Sequence, residues 1–297
     1  MKILVAGLVK NIQLQRLQEE GKKLGIDVDG CYASDLIIHT TQTEITAQLK
    51  DGRLLTDYDL IYLVVGKRRW EWYVGCLWAN KTKGTKIVND KVIDPTYYYF
   101  TTPASAYYLQ IQNNLPFPTS TIGFKADTIE GILKNYTYPV IIKPTNGRQG
   151  RGVYKPNNLD EAKKAVAEIL EKSVAFVVRE FIPNDGDVRV FTVGYKAIGA
   201  MKRTPKDGEF RSNISVGATG DIFDLDKYPE VKEIAEKASE AIRTEVAGVD
   251  IMMNRETGKP YILEVNPAPQ FKGFEEFTGT NAAEAIIKYF TQKIGQK

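Results

Sequence analysis

Ile3-Leu4-Val5-Ala6-Gly7 opens the chain as an unbroken apolar run ending in glycine, the pattern of a strand buried on both faces. Asn11 to Leu24 then sets Ile12, Leu14, Leu17 and Leu24 among polar residues and predicts an amphipathic helix. Val28 to Tyr32 and Leu60 to Val65 are further strand candidates. Strands alternating with helical segments predict a parallel sheet and one α/β unit over residues 1–94. Lys67-Arg68-Arg69-Trp70 reads equally as an anion-binding stretch or as a basic loop entering a helix that runs to Trp78.

The texture changes after Asp94-Pro95. The Tyr97-Tyr98-Tyr99-Phe100 stretch reads as packing between domains. A helix over Thr102 to Gln112 follows, then the stiff connector Leu115-Pro116-Phe117-Pro118. Val140 to Pro144 is a short strand. Asn158 with Glu161 forms a capping box ahead of a helix whose one face carries Ala162, Ala165, Val166, Ile169 and Leu170. Phe176 to Val178 is the next strand, so a second unit spans 95–183. The third, 184–297, alternates strands (Val188 to Val193, Ala197 to Met201) with helices at Val231 to Val246 and Ala282 to Ile294.

Composition narrows the chemistry. The balance of 40 basic to 37 acidic residues gives a formal net charge of +3, which argues against a nucleic-acid partner. Two cysteines, Cys31 and Cys76, lack metal-type spacing and suit a reducing, cytoplasmic setting. The single histidine, His39, reads as a surface residue, and mechanisms built on a Ser-His pair or on several His ligands are set aside. No apolar stretch approaches the ~18 residues of a membrane span, and the short apolar run at the N-terminus is read as a first strand and not a signal peptide.

Four segments carry candidate chemistry. Gly248 to Gly273 reads as a β-hairpin with a polar turn at Arg255-Glu256-Thr257-Gly258. Glu264 and Asn266, two apart on a strand, share a face, and a register with a five-residue loop sets Asp250 opposite Glu264. Three oxygen-bearing side chains then converge, as a hard divalent cation requires; the bland alternative is a solvated hairpin end. Lys143 ends its strand directly before a loop with glycines at 147, 150 and 152. Such a loop lets backbone N–H groups approach a phosphate, or is simply a hairpin tip; it lacks the Gly-Lys-Ser/Thr of a Walker A motif. Glu180 and Phe181, where a strand leaves its sheet, offer backbone groups matching adenine, and Asp187 offers oxygens for ribose hydroxyls. Phe210-Arg211-Ser212-Asn213, after Lys202-Arg203, brings cationic and amide donors toward the hairpin.

The order of these pieces, with IIKPTNGRQGRGV, REFI, DVRV, DGEFRSN, VAGVDI and LEVNPAP over Val140 to Gly279, resembles the ATP-grasp superfamily, and within it the RimK-like glutamate ligases. The resemblance implies an α/β (α+β) three-domain ATP-grasp fold behind an N-terminal parallel-sheet domain. It implies ATP between the second and third units, with adenine at Glu180, Phe181 and Ile182 and ribose at Asp187. The phosphates would lie at Lys143, Gly147, Gln149, Gly150 and Gly152, with Arg211, Ser212 and Asn213 beside them. Mg²⁺ or Mn²⁺, two ions, would sit on Asp250, Glu264 and Asn266. Arg203, Arg211 and Asn213 would face the γ-phosphoryl group and the acyl intermediate as catalytic residues. Two departures stand out. Family members carry a second ATP-binding lysine in the helix before the connector, and here no lysine lies between Lys91 and Lys125. The family's Asn-Ala-Ser-Pro-Gly is replaced by Asn266-Pro267-Ala268-Pro269-Gln270, which borders the acceptor site.

The expected activity is therefore ATP-dependent carboxylate–amine ligation through an acyl phosphate. It adds glutamate or a similar amino acid to a carboxylate-bearing peptide, protein or small molecule, and a homo-oligomer is allowed. A glutathione-synthase-like or amino-group-carrier ligase is the alternative within the class. From a different class, the missing lysine motivates a nucleotide-binding protein without ligase activity.

Overall fold

In the computed structural model the described residues are 1–64, 70–97, 103–145, 152–206, 209 and 218–296. The first unit contains β1 (Lys2–Ala6), α1 (Ile12–Lys23), β2 (Asp27–Cys31), β3 (Leu36–Thr40), β4 (Ile45–Leu49), β5 (Leu60–Leu63), α2 (Trp70–Lys83) and β6 (Lys86–Val88). Its main sheet runs in the order β2-β1-β5-β6 with every pair parallel, as the strand–helix alternation predicts. Both faces of β1 are buried. Leu4 pairs its side with α2 and the β3–β4 hairpin, in a core with Ala47, Leu49, Trp72 and Cys76. Ile3 and Val5 face the other way, onto Leu14 and Leu17 of α1. Helix α1 starts where the Asn11 side chain accepts from the Gln13 N–H at 2.8 Å, satisfying one of the free donors of the first turn. The β3–β4 hairpin is not among the expected strands; it places His39 opposite Thr46 on a largely exposed strand.

The second sheet is antiparallel, β7-β9-β8. It is built with α3 (Pro103–Gln112), β7 (Ser120–Gly123), α4 (Ile129–Leu133), β8 (Val140–Pro144), α5 (Leu159–Leu170) and β9 (Phe176–Glu180). Val140, Ile142, Phe176 and Val178 bury one face against α4 and α5. Their neighbours Ile141, Lys143, Val177 and Arg179 therefore share the opposite face. The cap of α5 differs in one detail from the expected box: Asn158 accepts from the Glu161 N–H at 2.9 Å, but Glu161 reaches back to the N–H of Asn157.

The third unit holds β10 (Asp187–Val193), β11 (Lys196–Thr204), β12 (Thr219–Ile222), α6 (Pro229–Ala241), β13 (Val246–Met253), β14 (Pro260–Pro267), α7 (Lys272–Thr278) and α8 (Ala282–Gly295). Its sheet is antiparallel in the order β12-β11-β10-β13-β14. Helix α6 stops at Ala241, short of the expected Val246. Arg243 takes a left-handed φ of 48°, and Val246 is claimed by the sheet as the partner of Val193. The intervening Glu245 is buried, accepting from the Asn89 N–H, the Tyr289 hydroxyl and the Lys293 ammonium.

Helix α8 carries the chain back to its beginning. Ala283, Ile286, Ile287 and Phe290 complete a single core with Ile3, Val5, Leu17 and Tyr62 of the first unit and Phe191, Met201 and Phe274 of the third. At roughly 25 cal/mol per Å² of apolar surface, a shared core of this kind fixes the first and third units against each other. Tyr97 adds a contact across units, donating from its hydroxyl to the Ala241 carbonyl at 3.1 Å under the Arg243 guanidinium. The remaining aromatics of that expected packing stretch, 98–100, lie outside the described residues, as do 67–69 of the basic loop and residue 102. No helix among the described residues is long and apolar enough to cross a membrane.

Candidate active site

One face of the C-terminal sheet changes character along its length. On β10, Phe191 and Val193 lie in the shared core, while Asp187 and Arg189, in alternation with them, carry the same face into a charged region. Opposite them stand Arg203 on β11 and Asp250 on β13, paired with Asp187 and Arg189 respectively. Glu264 pairs with Asp250, and Asn266 with Gly248. The expected Asp250–Glu264 pairing is thus present, but by a different route. The turn pairs Met253 with Pro260, with the Asn254 N–H donating to the Lys259 carbonyl, and a β-bulge at Leu263 then adds the residue that brings Glu264 into line.

Two glycines make the closeness possible. Gly186 has φ +106°, and a Cβ there would stand 2.1 Å from the Arg203 carbonyl oxygen, so only glycine allows Asp187 to begin β10 at that spot. At Gly248 a Cβ would lie 3.4 Å from Arg189 Nε and 3.0 Å from Pro269, so the missing side chain leaves the lane in which Arg189 lies.

The charges form one buried network. Arg189 grips Asp250 with both arms, Nε to Oδ1 at 2.7 Å and Nη2 to Oδ2 at 2.8 Å. Arg203 does the same to Asp187, at 2.6 and 2.7 Å, and its Nη2 also reaches Asp250 Oδ2 at 3.1 Å. Burial alone would push the Asp250 carboxyl up, but the two guanidiniums outweigh it and hold the group far below the usual carboxylate range. The same pairing raises Arg203 despite its burial. The Asn266 amide nitrogen bridges the two carboxylates of the hairpin, at 2.9 Å to Glu264 Oε1 and 3.3 Å to Asp250 Oδ2. Glu264 is exposed and forms no ion pair among the described residues. Two carboxylates and an amide within reach of one another, one carboxylate lacking a counter-cation, fit a hard divalent ion by donor chemistry. Among the described residues no three His, Cys, Asp or Glu side chains group as a metal site. The set needs the Asn266 amide turned over, so that its oxygen in place of its nitrogen faces the two carboxylates and serves as the third donor.

Facing this hairpin is the open side of the central sheet. Lys143 of β8 and Arg179 of β9 project from it. The Lys143 ammonium is pulled down by burial and by its neighbour Arg179, and is supported by the carboxylates of Glu264 and Asp250 across the gap. Arg179 reaches the hairpin itself, donating from Nη2 to the Leu263 carbonyl at 3.3 Å. Tyr107 of α3 stacks on Phe117 with centroids 5.1 Å apart and accepts from Arg179 Nη2 at 2.9 Å.

At the end of β9, Glu180 Oε1 accepts from the Thr119 N–H at 2.7 Å, and the Lys155 ammonium lies 3.8 Å from the centre of the Phe181 ring. Ile182 is buried, its carbonyl accepting from Asn184 at 2.7 Å, while its N–H donates to no described residue. Gly152 is left-handed at φ +71°. Gly147, Gln149, Gly150, Arg211, Ser212 and Asn213 lie outside the described residues. The structure therefore brings Lys143, Asp250, Glu264 and Asn266 into one region. Asp187 and Arg203, expected at ribose and phosphates, it joins to each other in the wall of that region.

The model of the RimK-like ATP-grasp domain matches residues 104–290. The chain belongs to the RimK-like ATP-grasp family. A probable alpha-L-glutamate ligase from Marinomonas sp. (strain MWYL1) is 30% identical over 96% of this chain and 94% of its own. Another from Shewanella loihica (strain ATCC BAA-1088 / PV-4) is 28% identical over 99% of this chain and 96% of its own. Among solved structures, the ATP-grasp ligase PsnB complexed with a minimal precursor superposes with a TM-score of 0.73 at 18% identity, covering 98% of each chain. The VanG D-Ala:D-Ser ligase from Enterococcus faecalis gives 0.68 at 15% identity, with 99% of each covered. As a RimK-like ATP-grasp protein this chain is an ATP-dependent ligase forming carbon–nitrogen bonds, on the ATP-grasp fold that the motif order implied.

Sequence reasoning gave no role to Arg189 or Arg179, although both stand inside quoted motifs. The signal for Arg189 was strand parity: Asp187 and Arg189 share a face, and β13 lies beside them. Arg179 lay on the same face as Lys143, a relation that needs the β8–β9 register to be seen.

Proposed function

We propose that this RimK-like protein joins the amine of glutamate to the carboxylate of a peptide, protein or small molecule, with ATP held between the central sheet and the C-terminal sheet. The observation that carries the reading is the meeting of Lys143 on one sheet with Asp250, Glu264 and Asn266 on the other. The relatives named as glutamate ligases supply the choice of amino acid. The separation of the strands into an N-terminal parallel sheet with the small β3–β4 sheet, a central sheet and a C-terminal sheet supports units at 1–94, 95–183 and 184–297.

A carboxylate oxygen of the acceptor attacks the γ-phosphorus of ATP, and the bond to the β–γ bridging oxygen breaks to release ADP. The glutamate amine, having given up a proton, attacks the acyl carbon of the resulting acyl phosphate. The tetrahedral adduct collapses with loss of phosphate and leaves an amide. In this reading Lys143 neutralises phosphate charge, and the Ile182 N–H with the Glu180–Phe181 backbone takes the adenine edge. Gly147, Gln149, Gly150 and Gly152 supply backbone donors, and Asp187 lies at the ribose. Arg203, Arg211, Ser212 and Asn213 border the reacting phosphoryl group. Asp250, Glu264 and Asn266 would hold Mg²⁺ or Mn²⁺, two ions, and these would supply charge neutralisation along the phosphate chain. Arg189 and Arg203 orient Asp250 for that task. Incubation with ATP, Mg²⁺, glutamate and a panel of carboxylates, followed by measurement of ADP, tests the proposal; ADP formation that no carboxylate stimulates would count against it.

A further inference from the structure

Arg179 is a buried cation whose charge the fold leaves unmatched. It is 6% exposed, and taking a guanidinium out of water is costly unless an anion meets it. Its partners are neutral: Ser120 Oγ at 3.4 Å from Nε, the Tyr107 hydroxyl and the Leu263 carbonyl from Nη2. It forms no ion pair among the described residues, and its Nη1 donates to none of them. The other arginines of the region, half-buried Arg189 and buried Arg203, are each matched, by Asp250 and by Asp187, so that pairing is internally balanced. What remains is Lys143 and Arg179, diagonal neighbours on one face of the central sheet, with Glu264 across from them.

Two adjacent, mutually repelling cations on a cleft wall call for a polyanion. Their effect on the surroundings is visible in Tyr107. Burial would raise its phenol, yet Arg179 and Lys143 together pull it down. The hydrogen bond to Leu263, next to Glu264, fixes the guanidinium at the junction of the two sheets, where a phosphate chain bridging Lys143 and the hairpin must pass. The helix before the connector offers no lysine for this purpose, since none lies between Lys91 and Lys125.

We propose that Arg179 is a second phosphate-binding cation of the nucleotide site, with Nη1 donating to a phosphate oxygen beside Lys143. The inference rests on the nucleotide cleft proposed above but not on the identity of the amino acid. The test is isothermal titration calorimetry of wild type, Arg179→Gln and Arg179→Lys with adenosine, ADP and a non-hydrolysable ATP analogue, the latter two with Mg²⁺. One charge-assisted hydrogen bond predicts that Arg179→Gln weakens ADP and the ATP analogue by about tenfold or more. Adenosine should bind unchanged, and Arg179→Lys should recover most of the loss. Equal weakening of all three ligands, with a lowered melting temperature, would instead assign Arg179 to inter-sheet packing and overturn the proposal. Unchanged affinity for all three would overturn it as well. The readout is nucleotide affinity and not product, so failure of glutamate to react would count against the substrate alone.

Discussion

Replacing Arg189 by methionine removes one of the two guanidiniums that keep Asp250 ionised inside the sheet. Arg189 provides both arms of a bidentate grip at 2.7 and 2.8 Å, whereas Arg203 gives Asp250 a single contact at 3.1 Å because its own fork is committed to Asp187. Breaking a buried pair from one side costs about 3–5 kcal/mol, since the survivor is left as an uncompensated charge. Here Arg203 and Asn266 remain, and Arg189 keeps 17% of its side chain exposed, so the loss should fall near the low end, at about 3 kcal/mol. Urea unfolding at pH 7 followed by far-ultraviolet circular dichroism measures it. Fluorescence is the wrong probe, because all three tryptophans sit on α2 in the first unit. The sign with pH follows from Asp250. A carboxyl held below its unfolded value contributes stability that is complete above about pH 4 and is lost only as pH falls toward the depressed folded value. The gap between wild type and variant should therefore be constant from neutral pH down to about 4 and close in stronger acid. A loss of less than about 1 kcal/mol at pH 7 would refute the assignment of Arg189 as the main counter-charge of Asp250.

Three further outcomes follow from the same geometry. Glu264→Gln keeps the shape and the Asn266 contact but removes the carboxylate of the Asp250–Glu264–Asn266 set that has no ion pair among the described residues, so Mg²⁺-dependent ADP formation should be lost with the fold intact by circular dichroism. Lys143→Ala should weaken ATP binding by about 1.5–3 kcal/mol in calorimetry, the worth of one charge-assisted hydrogen bond, and equal affinity would move the nucleotide elsewhere. Lys91 is half-buried between the first and third units, donating to the Ile242 carbonyl at 2.7 Å and the Thr244 hydroxyl at 2.6 Å, and desolvation of its ammonium, with Arg243 nearby, pulls it down to about 8. The unfolded chain then binds more protons between about pH 8 and 10.5, so thermal stability of wild type relative to Lys91→Met should rise across that window; a flat difference would contradict the shift.

The sequence disclosed what local pattern controls. Periodicity placed β1, α1 and α5 within a residue or two and both hairpin strands by their centres, with β13 starting three residues before the expected Val249, and parity put Glu264 and Asn266 on one face. Contacts between distant segments were not legible. The bulge at Leu263 is invisible in composition, although it sets the Asp250–Glu264 register. The end of α6 was misread because Ala-rich helix and Val-rich strand join with no proline, and Arg243, not a glycine, takes the left-handed turn. The sharing of α8 between first and third units could not be inferred, because an amphipathic helix does not name its partner. The segment after β14 shows the same limit. Its Phe271 N–H donates to Gln13 of α1 at 3.0 Å, tying the altered Pro267-Ala268-Pro269-Gln270 stretch to the N-terminal unit.

The central claim is the activation of a carboxylate by ATP for attack by glutamate. The most direct measurement combines ATP, Mg²⁺, isotopically labelled glutamate and candidate acceptors, with nucleotide products separated chromatographically and label sought in an amide by mass spectrometry. Stoichiometric ADP and labelled amide, with a hydroxamate formed when hydroxylamine replaces glutamate, is the predicted result. AMP and pyrophosphate as the nucleotide products would contradict it.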